Sequence, residues 1–251
     1  MQHYFIDEVV TLKQILPCPE NIRHHLRDVM RVDQGQIIRL LDQNEEAFLA
    51  EISYRDGEIF LEIQSKENLQ VELPVHVHIV CGLPKKDKAD FIVQKATELG
   101  AYEISFLAME RSVTQWVDKK VSKKLDRLQT IARQAAQQSQ RTHVPKVNFV
   151  KNIGDLCLAD HLLYLADEEL AKKNTKAFDL TDLARSQTPI LAIFGPEGGI
   201  SPKEREFIIG AGGKGIALGP RILRCETAPL YFLSGLSVLV EGGWSWLSKK
   251  I

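Results

Sequence analysis

The chain has 251 residues, 44% of them hydrophobic, and a net charge of -1, which is enough apolar material to fill one large or two modest cores. No apolar stretch approaches the roughly 18 residues that cross a bilayer, and the opening Met1-Gln2-His3-Tyr4-Phe5 lacks a leader's basic head and apolar run, so a globular cytoplasmic protein with no membrane partner is expected. Four cysteines, at 18, 81, 157 and 225, form no CxxC pair, which argues against a zinc site or a disulfide framework.

Residues 1 to 72 carry seven Lys/Arg against fourteen Asp/Glu. Within this acidic stretch Pro19 to Met30 reads as a helix. Arg23, Arg27 and Arg31, spaced four apart, would stack along one of its faces beside His24 and His25, unless Asp28 and Asp33 pair with them. The segments 36–41, 47–54 and 58–64 alternate or run apolar between turns at Asp42-Gln43-Asn44 and Asp56-Gly57, the signature of short antiparallel strands. A small β-barrel-like domain of about seventy residues, ending near Leu73-Pro74, follows from this pattern.

From residue 75 the pattern changes. Val75, Val77 and Ile79 alternate with His76 and His78 in a strand. Two histidines without a third nearby ligand do not make a metal site, so no metal is expected. Lys85-Lys86-Asp87-Lys88 leads into a helix closed by Gly100, and a strand recurs at Glu103 to Leu107. This βαβ order predicts a parallel sheet with covering helices. Residues 119 to 151 then carry nine Lys/Arg against the single Asp126. Val121, Leu125, Leu128, Ala132 and Ala135 recur there at helical spacing, leaving the lysines off the buried stripe. That charge suits a polyanion partner, and it equally suits a solvated helix face.

The C-terminal third concentrates the chain's glycine. Residues 195 to 219 hold eight of its sixteen glycines, more than loop-making needs, which points to backbone that approaches something closely. Pro189 to Phe194 reads as a buried strand, and Gly195-Pro196-Glu197-Gly198-Gly199 leaves its end. Ser201, Pro202 and Glu204 match a capping box with a first-turn proline, and Gly210 ends that helix. Gly215 to Leu218 reads as a further strand. From it departs Gly219-Pro220-Arg221-Ile222-Leu223-Arg224-Cys225-Glu226-Thr227-Ala228, with Thr227 as the cap of an apolar helix reaching about Val240. Ligands of open α/β sheets sit at such carboxyl-end loops. The GxGxxG match at 210–215 falls between a helix and a strand, the wrong context for a dinucleotide fingerprint.

The stretch Lys88 to Gly100, Glu110-Arg111-Ser112, Gln138-Ser139-Gln140-Arg141, Phe194 to Ser201 and Leu218 to Ala228 together resemble the RsmE family of 16S ribosomal RNA uridine-N3 methyltransferases. The resemblance runs nearly end to end, and includes Tyr4-Phe5-Ile6 and His25 to Arg31. It implies an α/β fold in two domains. Residues 1–72 would form a PUA-like RNA-binding β-barrel domain, and 73–251 a SPOUT methyltransferase domain, a parallel sheet with helices on both faces and a C-terminal trefoil knot. It further implies S-adenosylmethionine as cofactor, a homodimer, and the small-subunit 16S rRNA as partner. Three positions depart from the family pattern: Cys225 stands where Thr is common, Gln137 where many members carry Glu, and His3 where Arg is frequent.

On this reading the cofactor would be held by Gly195, Pro196, Glu197, Gly198, Gly199, Leu218, Gly219, Ile222, Leu223, Arg224, Thr227 and Ala228, largely through main-chain groups. RNA would meet Arg23, Arg27, Arg31, Lys85, Lys86, Arg111 and Arg141. Uracil N3 becomes nucleophilic on losing its proton, so the catalytic candidates are Arg224, to stabilise charge on the ring's carbonyl oxygens, and Glu197 or Glu226, to accept the proton if burial raises its pKa. The competing role for Arg224 and Glu226 is a mutual ion pair bracing the loop. Two other functions fit part of the pattern: ribose 2'-O-methylation within the SPOUT class, and noncatalytic rRNA binding during subunit assembly.

Overall fold

The computed structural model describes residues 1–172, 183 and 186–241. The chain divides into two compact units. The first is Met1–Glu72 together with Ala136–His143, and the second is Leu73–Ala135 with Val144–Ile251. Thus 136–143 groups with the N-terminal unit, although the sequence alone set that boundary at 72. Residues 242–251, the end of the expected second domain, lie outside the described residues. Among the described residues no helix is long and apolar enough to cross a membrane.

The first unit is a five-stranded sheet. Strands β1 (His3–Phe5), β2 (Ile15–Pro17), β3 (Ile37–Leu41), β4 (Ala47–Arg55) and β5 (Glu58–Glu67) lie in the order β1-β3-β4-β5-β2, antiparallel except for β1 with β3. No ladder joins β1 to β2 among the described residues, so the hydrogen-bonded barrel is incomplete. Asp56 and Gly57 both take positive φ, 52° and 85°, as a two-residue hairpin between twisted strands requires. Alternate residues of β5, Ile59, Leu61 and Ile63, enter a core with Leu16, Ile22, Leu26, Leu40 and Phe48.

Helix α1 (Glu20–His24) continues as a π-helix over His25–Met30, and Arg31 ends it in the left-handed region at φ 50°. A wider i→i+5 turn breaks the four-residue stacking, so Arg23, Arg27 and Arg31 do not form the expected stripe. Arg23 instead pairs with Glu58 at 2.8 Å, whereas Arg27 and Arg31 are exposed.

Arg141 departs further from expectation. Its guanidinium is buried, with Nε donating to Glu72 Oε2 at 3.0 Å. The other Glu72 oxygen accepts from the amides of Thr142 and His143 at 2.8 and 3.1 Å. A guanidinium so enclosed cannot reach a phosphate, so Arg141 is removed from the RNA-binding candidates. Burial alone would raise the Glu72 pKa, but the hydrogen bonds and charge of Arg141 and the two amides outweigh it and hold the carboxyl below its usual value. His3 closes the arrangement. Burial lowers its pKa to about 4, and the neutral ring donates from Nε2 to the Arg141 carbonyl at 2.9 Å.

The second unit is built on six parallel strands, β6 (Val77–Gly82), β7 (Glu103–Leu107), β8 (Lys146–Val150), β9 (Leu162–Ala166), β10 (Ile190–Phe194) and β11 (Lys214–Ile216), in the order β11-β9-β10-β6-β7-β8. Each face is covered. Ile190, Ala192 and Phe194 point into a core with α2 (Lys88–Glu98), α3 (Asp118–Gln138) and a C-terminal helix, Thr227–Glu241, while Leu191 and Ile193 join a second core with Ile208 of the helix Pro202–Gly210. Burial on both sides explains why β10 is apolar at every position. The short helix α4 (Glu168–Lys172) follows β9, so Pro202–Gly210 is α5 and Thr227–Glu241 is α6.

The expected strand at 215–218 is shorter than predicted, because Ala217 and Leu218 leave the ladder after Ile216. Thr227 is the first residue of α6 rather than the residue before it. The turn is set by the Arg224 carbonyl, which accepts from the amides of Thr227 and Ala228 at 2.9 and 3.0 Å. His76 stacks on Tyr102 with ring centroids 3.8 Å apart, and His78 contacts Ser105 Oγ at 2.8 Å, so each histidine has a partner within the protein. On α3, Arg127 pairs with Asp90 and the Lys124 ammonium lies 4.5 Å above the Trp116 ring, which takes part of the basic face out of play.

Arg141→Met strands the Glu72 carboxylate in a largely buried place and should cost about 3 kcal/mol at pH 7, read by urea unfolding. Because the folded Glu72 pKa lies below the unfolded one, the pair's contribution is present above the ordinary carboxylate pKa and fades as pH falls through the folded value. The deficit should therefore shrink in acid, and a deficit that grows would contradict the pairing.

Candidate functional site

The carboxyl ends of β9, β10 and β11 open into a cavity of about 600 Å³, a volume that suits a ligand of nucleoside size. Its walls come from three places. The first loop contributes Gly195, Pro196, Glu197, Gly198 and Gly199; the second contributes Leu218, Arg221, Ile222, Leu223, Arg224, Cys225 and Ala228; the end of β9 contributes Ala166, Asp167, Glu168 and Glu169. Lys88, Arg111 and Phe194 complete the lining. Gly219 and Thr227 do not line it, contrary to expectation. Thr227 is exposed on the first turn of α6, and Gly219 serves the turn with a φ of 135°.

The first loop is fixed from behind. Ser201 caps α5, accepting from the Glu204 amide at 3.3 Å, while Glu204 Oε2 accepts from the Ser201 amide at 2.9 Å. The remaining oxygen of this buried carboxylate accepts from the Glu110 amide at 2.8 Å, which draws loop 109–112 against the glycines. A Cβ on Gly198 would stand 2.5 Å from the Arg111 carbonyl oxygen. A Cβ on Gly199, which takes a φ of 76°, would run into the Glu168 carboxylate. Some of the glycine requirement is therefore the protein's own packing. Below, Asp167 takes a bidentate pair from Arg205 of α5 at 2.7 and 2.8 Å, tying the end of β9 to the same helix.

The second loop is held differently. Ala217 and Gly219 are buried, yet among the described residues no main-chain group from 217 to 223 makes a backbone hydrogen bond. Main-chain amides and carbonyls withdrawn from water need partners, and of this stretch Leu218, Ile222 and Leu223 line the cavity. Such groups fit a heterocycle with donor and acceptor edges and an apolar face.

Electrostatics at the mouth centre on Lys88. Its ammonium is 3.0 Å from Glu197 Oε1, 2.9 Å from Glu226 Oε2 and 3.7 Å from Cys225 Sγ. Glu197 Oε1 also accepts from the Lys85 amide at 3.2 Å. Partial burial pushes both carboxyls up, but the Lys88 hydrogen bonds and charge outweigh it, and both pKa values lie below the usual range. The expectation of a carboxylate made basic by burial is thus corrected: these two are held ionised and weakly basic. Lys88 in turn is raised, mainly by Glu226. Burial, with the Glu226 contact next, pushes the Cys225 thiol up to about 12, so Cys225 is an unreactive thiol at neutral pH. Arg224 lies 4.0 Å from Glu226 with 81% of its side chain exposed. It is therefore not the brace of the loop and is free to meet a substrate. Lys85, Lys86, Arg111 and Arg221 are exposed at or near this mouth.

Sequence reasoning passed over Lys88 as a wall residue and missed Asp167 to Glu169 entirely. The apolar run Leu162 to Ala166 followed by acidic residues repeats the strand-then-loop pattern seen at 190–199, and would have flagged them.

This fold and site place the chain among RNA methyltransferases. A family model for the RNA methyltransferase domain matches residues 71–237, and one for an RNA methyltransferase PUA domain matches 19–72. Ribosomal RNA small subunit methyltransferase E of Bacillus subtilis (strain 168) is 37% identical over 96% of this chain and 98% of its own length. The chain belongs to the ribosomal RNA small subunit methyltransferase E family. A solved structure of the Neisseria gonorrhoeae member bound to S-adenosyl methionine aligns with a TM-score of 0.81 at 28% identity, covering 95% of this chain and 98% of that one. A second, from Legionella pneumophila with bound cofactor SAM, aligns with a TM-score of 0.78 at 25% identity over 94% and 96% of the two chains.

Gly198→Ala forces its methyl into the Arg111 carbonyl and should destabilise the loop by about 1–3 kcal/mol. Thermal unfolding would register the loss, and an unchanged midpoint would show that the loop yields freely.

Proposed function

We propose that this protein transfers the methyl group of S-adenosylmethionine to N3 of one uridine in the decoding region of 16S rRNA. The observation that carries the reading is the cavity between two tight loops at parallel-strand ends, with unpaired main-chain groups along one wall, in a chain of this family. The donor would lie against Gly195 to Gly199 and Leu218 to Leu223. When bound, it supplies an electrophilic methyl carbon on a sulfonium.

What remains for the side chains is to bring uracil N3 into line and to ease loss of its proton. In-line displacement makes positioning worth several orders of magnitude in rate. Glu197 and Glu226, held ionised by Lys88, are poor proton acceptors. The load therefore falls on cations: Arg224, with Arg221 beside it, is placed to neutralise charge spreading onto the carbonyl oxygens as N3 is deprotonated. Positive charge at the ring oxygens lowers the N3 pKa, so solvent can take the proton without a dedicated side-chain base.

Exposed Lys85, Lys86 and Arg111 in the second unit, and Arg27 and Arg31 in the first, supply phosphate contacts that position RNA without reading its bases. The protein acts as a cytoplasmic homodimer, each cofactor pocket close to the partner subunit. The second unit carries the trefoil knot of the SPOUT class on this reading, an exception to the rule against threaded connections.

Two measurements test the reading. Reverse transcription of rRNA from cells with and without the gene should differ by one stop at a small-subunit uridine, with 3-methyluridine appearing by nucleoside mass spectrometry; identical patterns would reject the target. Arg224→Ala should lower kcat by about 100-fold while calorimetry shows cofactor affinity near that of the wild type. An equal loss in both would assign Arg224 to binding instead.

A further inference from the structure

We propose that Lys88 is a positioning residue of the site, a cation that holds the two cavity loops in register by bridging one carboxylate from each. The proposal builds on the methyl-donor reading above and adds a role for a side chain outside both loops.

The two loops have separate anchors. Glu197 sits just beyond β10, and Glu226 just before α6. Lys88 is the first residue of α2, a helix locked to the sheet by buried Ala89, Ile92, Val93 and Ala96. From that fixed base its ammonium spans 3.0 Å to Glu197 and 2.9 Å to Glu226, with Cys225 Sγ at 3.7 Å. All three side chains are under a third exposed, 28%, 23% and 17% for Lys88, Glu197 and Glu226. Water therefore screens the triad only in part, and removing the cation would leave two carboxylates facing one another in a confined wall. Arg224 does not substitute for it, being 4.0 Å from Glu226 and mostly in solvent. The Lys85 amide helps Glu197 alone, at 3.2 Å. Lys88 thus acts through Glu197 and Glu226 on the spacing of the loops, and through that spacing on the donor.

Calorimetry with S-adenosylmethionine and with its demethylated product, on the full chain, tests this. Lys88→Met should weaken binding of both by about 10-fold or more, and Lys88→Arg, which keeps the charge, should recover part of it. The decisive comparison is the same change made in a Glu197→Gln, Glu226→Gln background, where no carboxylates remain to repel. There the penalty should fall to about 2-fold or less. A penalty of equal size in both backgrounds, or wild-type affinity in Lys88→Met, overturns the proposal. Should Lys88→Met alone fail to fold, a folded triple variant that binds as the Gln pair does upholds it, and a further loss in the triple variant overturns it. A wild-type protein that binds neither ligand would instead refute the methyl-donor reading, leaving the two failures distinct.

Discussion

A parallel strand buried on both faces can offer chemistry only where it leaves the sheet, and that constraint organises the catalytic unit. β10 is enclosed by β9 and β6 at its sides, by Phe232 and Leu236 on one face and by Ile208 on the other. The Phe194 and Phe232 rings meet edge-on with centroids 5.9 Å apart, an arrangement worth about 0.5–1.5 kcal/mol beyond the area it buries. With every side chain of the strand spent on packing, Gly195 onward is the first backbone free to bend. The neighbouring β9 and β11 end at the same edge, so three unrelated stretches of sequence meet around one cavity.

That cavity is held open by polar contacts that a hydrophobic core cannot supply. Glu204 joins the cap of α5 to loop 109–112, Asp167 joins β9 to α5, and Lys88 joins the two cavity loops. In each case the carboxylates involved, Glu204, Asp167, Glu197 and Glu226, have hydrogen-bond or charge partners, the condition under which partly buried charge is tolerated. The consequence for chemistry is direct. Glu197 and Glu226, engaged by Lys88, have lowered pKa values and make weak bases.

The N-terminal unit follows a similar economy. Its acidic composition hides a few basic groups, and the structure sorts them: Arg23 and Arg141 are occupied by Glu58 and Glu72, while Arg27 and Arg31 face solvent. Identical residue types thus serve packing in one place and remain available to a polyanion in another.

Much was legible in the order of residues. Local rules suffice for a capping box at Ser201 and Glu204, a hairpin at Asp56-Gly57, a fully apolar run at 190–194 and the misplaced GxGxxG, because each depends on neighbours within a few positions. The family could be named for the same reason, since its motifs are contiguous. Pairings between distant residues were not legible. Lys88 with Glu197 and Glu226, Arg141 with Glu72, and Asp167 with Arg205 span separations that only the closed fold brings within hydrogen-bonding distance. Protonation and accessibility are set by those pairings, so the sequence determined which elements form and where the site lies, and the tertiary structure decided which of its charges are committed to holding it and which are free to act.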